Sequence, residues 1–350
     1  MSRRLQIALF AFAAAFPVVG CGLFFNPVTS VPPGQPDQPD DGSGGSQTQS
    51  QSVTKQKIGT GTTAYWLYEP ADPVPTSAPV VAFLHGYGGT NPKAYGAWIK
   101  HLVLRGNIVI FPIYQTSLAN ADQYTDDAIT AIQSALTLLG GGGHVQPELD
   151  HFALAGHSLG GVLVANIAAL ANSRGLPTPK CILSAHPGDA NATVPVLQSI
   201  KTGDYSSIPS ATLFLGIVGN DDSVVGTDEA ISIFDALTGV AADNKQVLEF
   251  FTDTYGEPDL EANHGAPLAS DAEFDSGDSL SGSPSSAVGV ESPGPDAFDF
   301  FGYWKLLDAL MTASFFGVDR DVALGGGPAE LGLGTWSDGT PVHPAEIIRP

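Results

Sequence analysis

Six short apolar runs, rich in β-branched residues, constrain the fold of this chain more than any other feature. They are APVVAFLHG (78–86), GNIVIFPIY (106–114), HFALAG (151–156), KCILSA (180–185), ATLFLGIVG (211–219) and KQVLEFF (245–251). Runs without polar alternation belong to strands buried on both sides, as in a parallel sheet. Between them the apolar period becomes helical. PKAYGAWIKHLVLRG spaces Tyr95, Trp98, Ile99, Leu102 and Val103 at helical intervals and stops at Gly106. DQYTDDAITAIQSALTLLG, LGGVLVANIAALAN and GTDEAISIFDALTG follow, the last with Thr227 as N-cap and acids in its first turn. FDFFGYWKLLDALMTASFFG closes the series, and TAYWLYEP reads as a strand of an antiparallel entry hairpin. This alternation predicts an α/β domain, a mostly parallel central sheet with helices on both faces.

Sites in such sheets collect past the carboxyl ends of the strands. Ser158 lies there, in LAGHSLGG (154–161), between a strand and a helix. Gly156 and Gly160 leave room for a tight turn that projects the hydroxyl, and the helix N-terminus supplies N–H groups beside it. A serine needs a base to take its proton. Among eight histidines, His264 in LEANHGAPL is favoured, because it follows the last strand. His186, just past strand 180–185, is the rival and a candidate for lining the pocket together with His157. The base needs a carboxylate, and FLGIVGNDDSVVG offers Asp222, with Asp221 as the fallback. In FLHGYGGTN (83–91), His85-Gly86 resembles the His-Gly turn that supplies one backbone donor in lipases and esterases; this implies the N–H groups of Tyr87 and Leu159 as an oxyanion hole, with the Tyr87 ring against the acyl side of a substrate.

With the elements in the order oxyanion turn, Ser, Asp, His, the chain resembles the α/β-hydrolase fold over roughly residues 58–318. Gly-His-Ser-Leu-Gly-Gly at 156–161 is similar to the motif of lipases, esterases and chlorophyllase-like or cutinase-like members. The resemblance implies cleavage of a small-molecule or lipid-like carboxylic ester through an acyl-enzyme, without cofactor or metal. Ser158 then attacks, His264 shuttles the proton and Asp222 orients it. An acyltransferase or peptidase on the same fold, and a non-catalytic surface-binding lipoprotein, are the alternatives. Departures from the pattern are a short cap region (185–210) and an acidic, Ser/Gly/Pro-rich insertion after His264 (270–297), read as a mobile loop.

The ends of the chain carry a second message. Arg3 and Arg4 precede an apolar stretch too short for a comfortable membrane span, which ends in Val18-Val19-Gly20-Cys21. That tetrapeptide resembles the bacterial lipobox, so residues 1–20 are expected to be a signal peptide and Cys21 the lipidated first residue. A plain secretory signal is the alternative. The anchor would hold the protein to a membrane of the bacterial cell envelope, at the outer membrane or cell surface. Residues 21–57, poor in apolar side chains, are expected to be a disordered tether. Residues 319–350 read as a C-terminal tail without assignable elements.

The formal net charge of −22, without a basic stripe, excludes binding to a nucleic-acid backbone. Cys181 is the only other cysteine and begins an apolar run, as a buried structural thiol does.

Overall fold

The computed structural model describes residues 31–117, 120–188, 200–278 and 294–350. Pro33–Pro350 form one compact unit, and Met1–Pro32 a separate one. The signal segment, Cys21, residues 189–199 of the short cap region and residues 279–293 of the acidic insertion lie outside the described residues. Among the described residues no helix is long and apolar enough to cross a membrane.

The compact unit is built on a sheet of nine strands: β1 (Ser52–Ile58), β2 (Ala64–Ala71), β3 (Ser77–Leu84), β4 (Ile108–Ile113), β5 (Gln146–His157), β6 (Cys181–Ala185), β7 (Leu213–Gly219), β8 (Lys245–Phe250) and β9 (Glu346–Arg349). Their order is β1-β2-β4-β3-β5-β6-β7-β8-β9. The pairs from β4 to β8 are parallel. β1 and β2 at one edge and β9 at the other run antiparallel to their neighbours. The six apolar runs are the six parallel strands, and TAYWLYEP is the second strand of the entry hairpin.

Alternation along each strand feeds two cores. Val80, Ala82 and Leu84 of β3 pack with helices α2 (Tyr124–Gly140), α3 (Leu159–Leu170) and α4 (Asp228–Ala236). Val81 and Phe83 of the same strand pack with α1 (Gly96–Leu104) and α5 (Trp304–Phe316) on the other face. A turn of π-helix, Asp299–Tyr303, opens α5. Cys181 is buried, and burial pushes its thiol up to about 12, as suits a packing residue. Thr227 occupies the N-cap of α4, but its side chain makes no cap hydrogen bond.

Both ends of the unit differ from expectation. The stretch read as a tether is, from Pro33 onward, laid on the domain. Gly34 N–H donates to Ser337 Oγ, Glu257 N–H to the Pro33 carbonyl, and Gln49 and Ser50 N–H to the Leu104 carbonyl. Gly44 N–H donates at 2.9 Å to Asp308 Oδ2, which also accepts from His101. A side chain at Gly44 would put Cβ 2.0 Å from the Phe300 carbonyl. This arm is ordered by backbone hydrogen bonds and close approach rather than by apolar burial, so composition misread it. Its continuation, Ser52–Ile58, is edge strand β1. The tail also belongs to the domain: β9 pairs with β8, and Trp336 is buried with its indole N–H on Asp253. Of the acidic insertion, Asp271–Asp278 is fixed to the surface through Lys57, Lys93 and Lys100.

Chain direction positions the site. From β3 the chain moves through α1 to β4 on one side, then through α2 to β5 on the other. The carboxyl ends of β3 and β5 therefore flank the point where strand order reverses, which opens a crevice.

Candidate active site

β5 ends in a sharp turn at Ser158. Ser158 has φ 56° and ψ −122°, a conformation that L-residues rarely adopt, and it caps α3. The turn closes only because two neighbours lack Cβ. A Cβ on Gly156 would lie 2.3 Å from the Gly160 carbonyl oxygen, and one on Gly160 would lie 2.1 Å from that of Leu84. Ser158 N–H donates to the Ala185 carbonyl at 2.9 Å, tying the turn to β6.

The loop after β8 brings His264 to this serine, with Nε2 2.9 Å from Ser158 Oγ. On its other side, Nδ1 lies 2.8 Å from Asp222 Oδ2, past the end of β7. A carboxylate only accepts, so Nδ1 carries the proton and Nε2 presents its lone pair to the serine hydroxyl. Asp222 Oδ1 accepts from the N–H groups of Val224 and Val225 at 2.9 and 3.1 Å. Asp222 is the member of the acidic pair brought to the histidine; Asp221, beside it, donates its N–H to the Ala262 carbonyl in the His264 loop.

His186 and His157 are both withdrawn from solvent. His186 is fully buried behind Asp222, with Nδ1 2.9 Å from Asp222 Oδ2 and Nε2 2.7 Å from Tyr303 Oη. His157 is buried too, with Nδ1 2.9 Å from Tyr95 Oη and Nε2 2.9 Å from the His264 carbonyl. The expectation of substrate contact is corrected for both, because each ring uses both nitrogens inside the protein.

Electrostatics follow from these contacts. Burial alone would push the Asp222 carboxyl up, but hydrogen bonds from His186 and His264 hold it well below the usual carboxylate range. Burial pushes His186 down, against the pull of Asp222, and pushes His157 well down, helped by the neighbouring His264 and His186. One carboxylate is thus served by two imidazoles and two backbone N–H groups. His186, Asp222 and His264 offer atoms within 4.8 Å of one another that could ligate a cation. In the hydrogen-bonded arrangement both Nδ1 atoms carry protons toward the carboxylate, and it is this pairing that accounts for the cluster.

The turn after β3 faces the serine, with a Cβ built on Gly86 only 3.2 Å from Ser158 Cβ. Within the turn, Gly86 N–H donates to Tyr95 Oη, Gly88 N–H to Gln115 Oε1, and Gly89 N–H to the Gly86 carbonyl. Tyr87 stands between these groups, 8% exposed, with its ring edge-on to Tyr124. Leu159 is the first residue of α3, where N–H groups have no intrahelical acceptor.

Residues 44–184 match the family model described as Chlorophyllase. The chain has the α/β-hydrolase fold. The matched span includes the Gly86 turn and Ser158 and ends before Asp222 and His264, which the sheet brings to the same place. No curated protein matches the chain.

Tyr95, Tyr303 and Gln115 were not legible as site residues. Tyr95 and Tyr303 lie in stretches with a core-like helical period, and Gln115 in a loop. No local signal distinguishes a core tyrosine from one whose hydroxyl meets a histidine.

Proposed function

We propose that this protein is a serine hydrolase of carboxylic esters, acting through an acyl-enzyme on Ser158, His264 and Asp222. The observation that carries the reading is the unbroken chain from Ser158 Oγ to His264 at 2.9 Å and from His264 to Asp222 at 2.8 Å, on a serine held at positive φ. Similarity to the Chlorophyllase family model over residues 44–184, the span that holds Ser158, supports it. His264 Nε2 takes the Ser158 proton as Oγ bonds to the ester carbonyl carbon. The N–H groups of Tyr87 and Leu159 receive the carbonyl oxygen as it gains charge. His264 passes the proton to the departing alkoxide, which leaves as the alcohol. Water, deprotonated by His264, then adds to the acyl carbon; the carboxylic acid departs and Ser158 recovers its proton. Asp222 stays ionised and stabilises the imidazolium.

The protein is anchored by a lipid on Cys21 in the bacterial cell envelope, a reading supported by the basic start, the apolar stretch and Val18-Val19-Gly20-Cys21. Covalent labelling by a fluorophosphonate, and its loss in Ser158→Ala, tests the chemistry; a series of p-nitrophenyl esters of rising acyl length reads the substrate class. Incorporation of labelled palmitate, lost in Cys21→Ser, tests the anchor.

A further inference from the structure

His157 is next in the chain to Ser158 yet has no part in the Ser158–His264–Asp222 chain. The His264 carbonyl that it meets can only accept, so His157 Nε2 carries the proton and Nδ1 is an acceptor. Tyr95 therefore donates its hydroxyl proton to Nδ1, while the same oxygen accepts the Gly86 N–H at 2.8 Å. Hydrogen bonds run one way through four groups, from Gly86 through Tyr95 and His157 to His264. All four groups are buried. Burial keeps His157 neutral, so no second proton reverses the order. The rings facing it are those of Tyr95, His264 and His186, the last two at 4.9 and 6.3 Å; the Asp222 charge acts in the opposite sense.

We infer that Tyr95 and His157 are positioning residues, a buried bridge that fixes the Gly86 turn and the His264 loop relative to each other. The inference rests on the serine-hydrolase reading, in which oxyanion donors and base act on one tetrahedral centre. Those groups come from loops after β3 and β8, which are not neighbours in the sheet. A satisfied buried network joins them through the serine's own turn and holds the geometry that efficient attack requires.

The test uses the full chain with Tyr95→Phe, His157→Gln and His157→Asn, and Ser158→Ala in parallel. Gln reaches the Nε2 position and keeps a donor for the His264 carbonyl; Asn ends at the Nδ1 position and loses it. Expected are folded variants with kcat on a p-nitrophenyl ester lowered roughly 10- to 100-fold, KM within about threefold, and Asn worse than Gln. Tyr95→Phe/His157→Gln should lose about as much as its poorer parent, because one bridge is broken once. The inference is overturned if folded Tyr95→Phe or His157→Asn keeps kcat within about twofold, if the losses lie in KM alone, or if the double variant multiplies them. Should Tyr95→Phe fail to fold, the Gln–Asn contrast decides alone. If Ser158→Ala still hydrolyses the ester, the underlying serine-hydrolase reading fails; if it is inactive and the bridge variants match wild type, only the bridge does.

Discussion

His186 donates through Nδ1 to Asp222 Oδ2 at 2.9 Å, the same oxygen that His264 uses at 2.8 Å. The second imidazole draws on the charge that Asp222 offers the first. Replacing His186 by Ala should leave a more basic carboxylate, which favours the imidazolium of His264 more strongly. The acid limb of the kcat/KM profile should then move to higher pH. His186→Asn, whose amide reaches the Nδ1 position, should keep the limb near its original place. A pH–rate profile on a p-nitrophenyl ester checks this, and an unmoved limb in His186→Ala would refute it.

The acid itself should matter more. Asp222→Asn removes the acceptor that fixes the His264 tautomer, so kcat should fall by about 10³–10⁴-fold. Single-turnover measurements should place the loss in acylation. Retention of a tenth of wild-type activity would exclude the assigned role.

Backbone contact makes the serine turn intolerant of even one methyl group. Gly160→Ala would bring Cβ to 2.1 Å from the Leu84 carbonyl oxygen and should cost about 2–4 kcal/mol, abolishing fluorophosphonate labelling. Gly140→Ala, with nothing within 4 Å of its Cβ, should be neutral or slightly stabilising. Urea denaturation of the pair gives the comparison.

Acid should unfold the protein by a histidine route. His85 is fully buried, and burial lowers it to about 4 from an ordinary value of 6.5. The unfolded chain takes up a proton that the folded one refuses, so this stability is present above pH 6.5 and is lost as pH falls toward 4. The loss amounts to about 3 kcal/mol at its limit, and His157 and His186, also lowered, add in the same direction. His85→Asn keeps a donor at the Nδ1 position for the Gly86 carbonyl and should flatten the fall of the urea midpoint between pH 7 and 4.5.

Ionic strength should loosen the surface at Asp271–Asp278. Lys93 and Lys100 bind Asp275, Asp271 and Glu273 through partly exposed pairs that salt screens. Raising NaCl to about 0.5 M should speed proteolytic nicking in this segment without shifting the main melting transition by more than a few degrees. Lys93→Ala/Lys100→Ala should behave likewise at low salt; equal nicking rates under all conditions would show that the pairs do not hold it.

Much of this molecule was legible because its signals are local. β-branched apolar runs, helical spacing and glycines around a serine each report on a few neighbouring residues, and the order of the parallel elements follows from them. Ser158 and Asp222 could be singled out because each follows closely on a strand, and His264 because it lies in the loop beyond the last apolar run. The arm from Pro33 misled because composition registers side-chain burial, whereas this segment is ordered by backbone hydrogen bonds and by the close approach that Gly44 permits. The burial of His157 and His186 and the meeting of Tyr95 with His157 belong to the tertiary structure alone. Residues 62 positions apart share a hydrogen bond only once two strands and a helix have packed, and the direction of a proton depends on what each atom then finds opposite it.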